Sequence, residues 1–157
     1  MTSIDPPLKA GTKLCIVKPN VGLSTPTVFK SLRYDLLSEQ DPEDLLAAFL
    51  DQRDKNDVAL VEDEYYINDL EDPAFLNLPE LQELKKELLA VEGFHHVLMS
   101  GSGTSIFCIG EPKDMDGFCN TFSTREGLNV FFTEFVNRDN EDVWYAPPPP
   151  PPPSSSQ

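Results

Sequence analysis

The run His96-Val97-Leu98, the loop Met99-Ser100-Gly101-Ser102-Gly103-Thr104-Ser105 and the run Ile106-Phe107-Cys108-Ile109-Gly110 restrict the fold of this chain more than any other stretch. Two short segments rich in β-branched and aromatic residues, joined by a loop of glycines and hydroxyls, read as strand, tight loop, strand. A connection this short pairs its strands antiparallel. Gly101 and Gly103 carry no Cβ, so they accept φ > 0 and let a neighbouring group approach, and successive N–H groups there can form a concavity that attracts anions. On this stretch alone a plain hairpin turn is the alternative.

The rest of the chain supplies elements to pack on that hairpin. Lys13-Leu14-Cys15-Ile16-Val17 reads as a short buried strand whose pairing partner must come later in the chain or from outside it. Ser24-Thr25-Pro26 starts a helix with a hydroxyl cap and an early proline, and puts Val28, Phe29 and Leu32 on one face. A second start at Asp41-Pro42-Glu43-Asp44 precedes Leu45, Leu46, Phe49 and Leu50, giving two short helices. Between Glu62 and Asp72 there are six acids and no base, the pattern of a solvated acidic loop or helix face. Leu78-Pro79-Glu80 opens the strongest helix, with Leu81, Leu84, Leu88 and Val91 on one stripe and Gly93 at its end. Glu111 to Glu126 reads as a loop or weak helix, and Leu128 to Val136 as a last strand. The order predicts an α+β domain, an antiparallel sheet of about four strands with helices packed on one face.

Charge and composition narrow the classes of function. With 27 acidic and 12 basic side chains the 157 residues carry a formal charge of −15, which argues against binding a nucleic-acid backbone. Cys15, Cys108 and Cys119 are an odd set without paired spacing and read as reduced thiols. No stretch approaches the roughly 20 apolar residues that cross a bilayer, so no membrane partner is expected, and residues 1–12 contain no visible targeting segment. Residues 1–12 are expected to be a flexible segment, 13–145 the domain, and 146–157 a disordered tail of proline and serine.

Specific residues go further than pattern. Val17-Lys18-Pro19, Leu23-Ser24-Thr25, Val28-Phe29-Lys30, Asp41-Pro42 with Leu45-Leu46, Asn68-Asp69-Leu70-Glu71 with Pro73-Ala74-Phe75, and Met99-Ser100-Gly101-Ser102-Gly103-Thr104 follow one another in order. In this order they closely resemble the C-terminal half of the 4-diphosphocytidyl-2-C-methyl-D-erythritol kinase family, a branch of the GHMP small-molecule kinases, in its plant and algal form. Trp144-Tyr145 also looks like the plant-type terminus. The resemblance implies a ferredoxin-like fold and transfer of the ATP γ-phosphoryl group, with Mg2+, to a hydroxyl of a cytidine-diphosphate-linked methylerythritol in isoprenoid synthesis. It implies a plastid-stroma setting, with the cytoplasm as the alternative.

Phosphoryl transfer needs donors and a metal around the triphosphate and a group that orients the attacking hydroxyl. The resemblance places the phosphate cradle, a Lys and a catalytic Asp in an N-terminal half, which becomes an expected partner of this chain, and the isolated 157 residues are expected to be inactive. Pro19-Asn20-Val21-Gly22-Leu23-Ser24-Thr25 opens a helix but has one glycine, so it is rejected as that cradle. No catalytic residue and no metal ligand is assigned to this chain. The cofactor-facing residues are Ser100, Gly101, Ser102, Gly103 and Thr104, as a glycine loop near the phosphates.

Asn68-Asp69-Leu70-Glu71 is expected to act structurally, as a helix cap, and His95 and His96 as surface or packed histidines. Lys18 either faces an anionic substrate or is solvated. The seven prolines from Pro147 to Pro153 fit an aromatic groove of the SH3, WW or profilin kind if they are not a disordered tail. An alternative function follows from that tail: a non-catalytic binding module derived from a GHMP kinase, interacting through its prolines or an exposed apolar face.

Overall fold

The computed structural model describes residues 8–55 and 62–136. The proline–serine tail expected at 146–157 lies outside the described residues. Strand β1 (Lys13–Pro19) is central in the sheet. Cys15 and Val17 are fully buried on one face while Lys13 and Lys18 are exposed. It pairs antiparallel with β3 (Ile106–Gly110) on one side and β4 (Leu128–Glu134) on the other, which supplies the partner the sequence left open. Strand β2 (Phe94–Met99) pairs antiparallel with β3, so the order is β2-β3-β1-β4. This is the four-strand antiparallel sheet expected, in the split order of a ferredoxin-like βαββαβ unit. Gly11 N–H donates to Phe135 O at 2.7 Å and Phe135 N–H to Thr12 O at 2.9 Å. The end of the segment expected to be flexible is therefore held in the ladder.

One face of the sheet is the core. Helices α1 (Thr25–Lys30), α3 (Glu71–Asn77) and α4 (Pro79–Leu89) bury Val28, Ala74 and the stripe Leu81, Leu84 and Leu88 there, against Val17, Val97 and Met99. Each fully buried leucine of that stripe is worth roughly 1.5–3 kcal/mol. The segment read as a loop or weak helix is α5 (Met115–Phe118) running into a π turn, Cys119–Ser123, and it buries Phe118 and Phe122. Phe118 meets Phe94 edge-on at 5.5 Å and stacks on Phe122 at 4.7 Å, which fixes an otherwise weak helical segment.

Helix α2 (Pro42–Lys55) begins at the expected cap, where Asp41 Oδ1 accepts the Glu43 amide at 2.8 Å, and runs longer than the short helix the pattern predicts. The expectation of helices on one face describes α1, α3, α4 and α5. Leu45, Leu46 and Phe49 of α2 instead share a pocket with Leu14, Ile16, Phe107 and Ile109, the opposite face of the sheet.

Cys15 and Cys108 are opposite each other across β1 and β3, fully buried and reduced. Burial pushes the Cys15 thiol up to about 12 and raises that of Cys108 as well. The thiolate is the nucleophile, so neither reacts at mildly alkaline pH while the core is intact. A disulfide reagent is expected to label half-buried Cys119 in the folded chain and all three cysteines in denaturant. Native labelling of Cys15 or Cys108 at the rate of Cys119 contradicts this core.

Candidate functional site

The loop between β2 and β3 is closed by its own backbone. Ser100 N–H donates to Ser105 O at 2.9 Å and Gly103 N–H to Ser100 O at 3.0 Å. Both glycines take positive φ, +55° at Gly101 and +93° at Gly103, but their surroundings differ. A Cβ on Gly101 would meet nothing within 4 Å, whereas one on Gly103 would lie 3.1 Å from Met99 Sδ. Gly101 thus faces open space and Gly103 packs on the core. Among the described residues the amides of Gly101 and Ser102 have no acceptor, which leaves two N–H groups free at the tip.

Three separate segments hold this loop. Asn68 Nδ2 donates to Met99 O at 2.8 Å and to Gly101 O at 2.9 Å, while its Oδ1 accepts the Leu70 amide at 3.0 Å. Glu71 accepts the Met99 amide at 2.8 Å through Oε1, and through Oε2 takes the Lys85 ammonium at 2.6 Å. That ion pair is largely shielded, at 18% and 15% side-chain exposure, so each charge depends on the other. From the β1–α1 side, Thr104 donates its hydroxyl to Val21 O at 3.0 Å, and Thr25 and Ser102 hydroxyls pair at 2.8 Å.

The loop separates two clefts. On one side is an apolar cavity of about 660 Å³ that Ser100 and Ser105 border. On the other is a polar cleft of about 430 Å³ lined by Lys18, Asn20, Gly22, Gly103, Thr104 and Asn129, with the Asn20 and Asn129 side chains paired across it. Lys18 takes part in no ion pair among the described residues, so its charge is available to an anion in that cleft.

Ser100, Gly101, Ser102, Gly103 and Thr104 are contiguous in space, but their groups point different ways. Thr104, 6% exposed, directs its hydroxyl inward and Ser102 is engaged by Thr25, which leaves Ser100 as the open hydroxyl among these five residues. Pro19 to Thr25, rejected as a phosphate cradle, runs from the end of β1 into α1, and its residues Pro19 to Leu23 line the polar cleft. Asn68-Asp69-Leu70-Glu71 is not the helix cap expected, because α3 has Leu70 at its N-cap with no side-chain cap bond; Asn68 and Glu71 instead hold the loop, and Asp69 accepts the Ser38 amide and hydroxyl at 3.1 and 2.9 Å. His96 is packed, 5% exposed, stacked on Tyr66 at 3.9 Å with Nδ1 2.6 Å from Asp63, and His95 is exposed. The acidic segment is therefore not merely solvated. Lys85, the partner of Glu71, is the site residue that sequence reasoning missed, although its place adjacent to Leu84 and one turn from Leu81 and Leu88 was the visible anomaly.

Comparison with known proteins shows which family the chain resembles. Residues 45–120 match the family model described as GHMP kinases C terminal. Over 137 residues the chain is 39% identical to the 4-diphosphocytidyl-2-C-methyl-D-erythritol kinase of Protochlamydia amoebophila, covering 87% of this chain and 38% of that one. The chain carries a GHMP kinase C-terminal domain. The chloroplastic kinase of the same name from Oryza sativa subsp. japonica is 36% identical over 143 residues, covering 88% of this chain and 33% of its own. Thus the chain spans well under half the length of these curated relatives.

A crystal structure of 4-(cytidine 5'-diphospho)-2C-methyl-D-erythritol kinase superposes with a TM-score of 0.60 at 25% identity, over 82% of this chain and 45% of that one. Homoserine kinase from Cytophaga hutchinsonii, at 19% identity and a TM-score of 0.54 over 83% of this chain and 44% of that one, shares the fold.

The clamp makes the two glycines and Asn68 separable. Gly103→Ala is expected to destabilise by about 2 kcal/mol or more, from the left-handed backbone and the crowded Met99 sulfur, and Gly101→Ala by about 1 kcal/mol. Asn68→Ala, leaving two carbonyls without their donor, is expected to cost about 2 kcal/mol. Urea unfolding checks all three; equal effects at both glycines, or none at Asn68, contradict the clamp.

Proposed function

We propose that the chain is the C-terminal part of an ATP-dependent 4-diphosphocytidyl-2-C-methyl-D-erythritol kinase. The reaction is transfer of the ATP γ-phosphoryl group to a hydroxyl of the cytidine-diphosphate-linked methylerythritol, in non-mevalonate isoprenoid synthesis. The observation that carries this reading is the 39% identity to a kinase of that name across 87% of this chain, which takes in the glycine loop and its Asn68 clamp. The plant relatives named chloroplastic support a plastid setting.

Phosphoryl transfer is catalysed mostly by positioning and by preorganised donors. In this reading Ser100, Gly101, Ser102, Gly103 and Thr104 form one wall of the transfer site. Gly101 and Ser102 turn free amides to the phosphates, Ser100 adds a hydroxyl, and Thr104 fixes the loop to Val21. Lys18 lends positive charge to the polar cleft beside it. Magnesium, when bound, neutralises charge on the phosphates. Among the described residues no group of three or more His, Cys, Asp or Glu stands together to hold a metal, so no step through it is assigned to this chain. The phosphate cradle and the group that deprotonates the hydroxyl belong to an N-terminal half.

That division of labour is testable with ATP, magnesium and the cytidine-linked substrate. The 157-residue chain alone is expected to give no turnover, and the chain joined in frame to the N-terminal part of the Protochlamydia amoebophila kinase is expected to give it. Turnover by the chain alone, or none from a folded fusion, contradicts the proposal.

A further inference from the structure

The first and the last described parts of the chain meet at one pocket. Leu8 and Phe135 both border the apolar cavity of about 660 Å³ between α2 and the second face of the sheet. Its walls include Ile16 and Phe107 from the sheet and Leu46, Phe49 and Tyr66 from the covering layer. Tyr66 holds an edge-on contact with Phe49 at 5.5 Å, and its hydroxyl is buried without a hydrogen-bond partner among the described residues. An apolar cavity with aromatic walls and one orphan donor is incomplete as it stands.

We propose that Val143-Trp144-Tyr145 of the same chain fills this pocket. Phe135 already lies at its wall, and Trp144 follows Val136 by eight residues (144 − 136), a reach of roughly 26 Å when extended. The intervening Asn137-Arg138-Asp139-Asn140-Glu141-Asp142 is polar throughout, and Tyr145 is followed by Ala146, the prolines and a polar end. Val143-Trp144-Tyr145 is therefore the one aromatic cluster in residues 137–157, held between a polar linker and a polyproline run.

The chemistry of the segment matches the pocket on two counts. Aromatic side chains bury 150–250 Å² each, the largest apolar payload available to a short peptide. Ala146 precedes Pro147 and is biased to extended backbone, whose carbonyls have no internal hydrogen bonds and supply the acceptor that Tyr66 lacks. A tether of this length also keeps the segment at millimolar effective concentration, so a weak contact suffices.

Trp144 is the only tryptophan in the chain, so its fluorescence reports the contact directly in the full 157 residues. Folded chain is expected to show blue-shifted emission and an acrylamide quenching constant several-fold below that of the denatured chain, both independent of protein concentration. Leu46→Asp, which places a charge in the pocket, is expected to return both values to those of solvated tryptophan with far-UV circular dichroism unchanged. In case that variant fails to fold, the double substitution Trp144→Ala, Tyr145→Ala is expected to raise binding of an apolar dye several-fold in the folded chain. Fully quenchable Trp144 in the native chain overturns the proposal, as does unchanged dye binding by the double variant. Protection that appears only as concentration rises assigns the pocket to a second copy and overturns it too.

Discussion

The two hydrogen bonds that Asn68 gives to the carbonyls of Met99 and Gly101 fix where the glycine loop leaves the sheet. A loop of this composition has little of its own to hold it: two backbone bonds, no large side chain, and two glycines whose backbone is freer than any other residue's. One amide group, itself fixed because its oxygen accepts from Leu70, converts that freedom into a single arrangement. Glu71, three residues on, takes the amide of Met99 and draws in Lys85, so the start of α3, the middle of α4 and the end of β2 are joined at one carboxylate.

The opposite side of the loop is held from the other half of the fold. Thr104 reaches Val21 and Ser102 reaches Thr25, both in the connection that carries β1 into α1. β1 is central in the sheet, so the loop is referenced to the core on both sides. Preorganisation of this kind matters for phosphoryl transfer, because donors already aimed at developing charge require no rearrangement during the reaction. It also explains why Thr104, though in the loop, has its hydroxyl turned inward: its contribution is to position Gly103 and the tip. The shielded Lys85–Glu71 pair serves the same end, since a carboxylate that lost its cation there would no longer be held against the Met99 amide.

Much of this was legible in the residues. The hairpin declared itself through β-branched runs around a glycine loop, and α4 through leucines at helical spacing, because both patterns are local. What was not legible depended on contacts made across the chain. Six acids between Glu62 and Asp72 read as solvated, and only the fold reveals that Glu71 meets Lys85 and that Asp63 meets His96. The α5 segment has weak propensity and is fixed by Phe118 packing on Phe94 and Phe122. Nor does any periodicity say which face of a sheet a helix will cover, and α2 turns its Leu46 and Phe49 to the face the other helices leave. The family blocks in the sequence pointed to the glycine loop as the candidate site, but they could not say which of its groups were free.

The central claim is that the tip of this loop faces the phosphates being exchanged. A crystal structure of the chain joined to a GHMP N-terminal half, with substrate and a non-hydrolysable ATP analogue bound, tests it most directly. The amides of Gly101 and Ser102 are predicted to lie within about 2.7–3.2 Å of phosphate oxygens, with Asn68 still bonded to both carbonyls. Phosphates held wholly by the other half, with the loop tip facing solvent, would contradict the account.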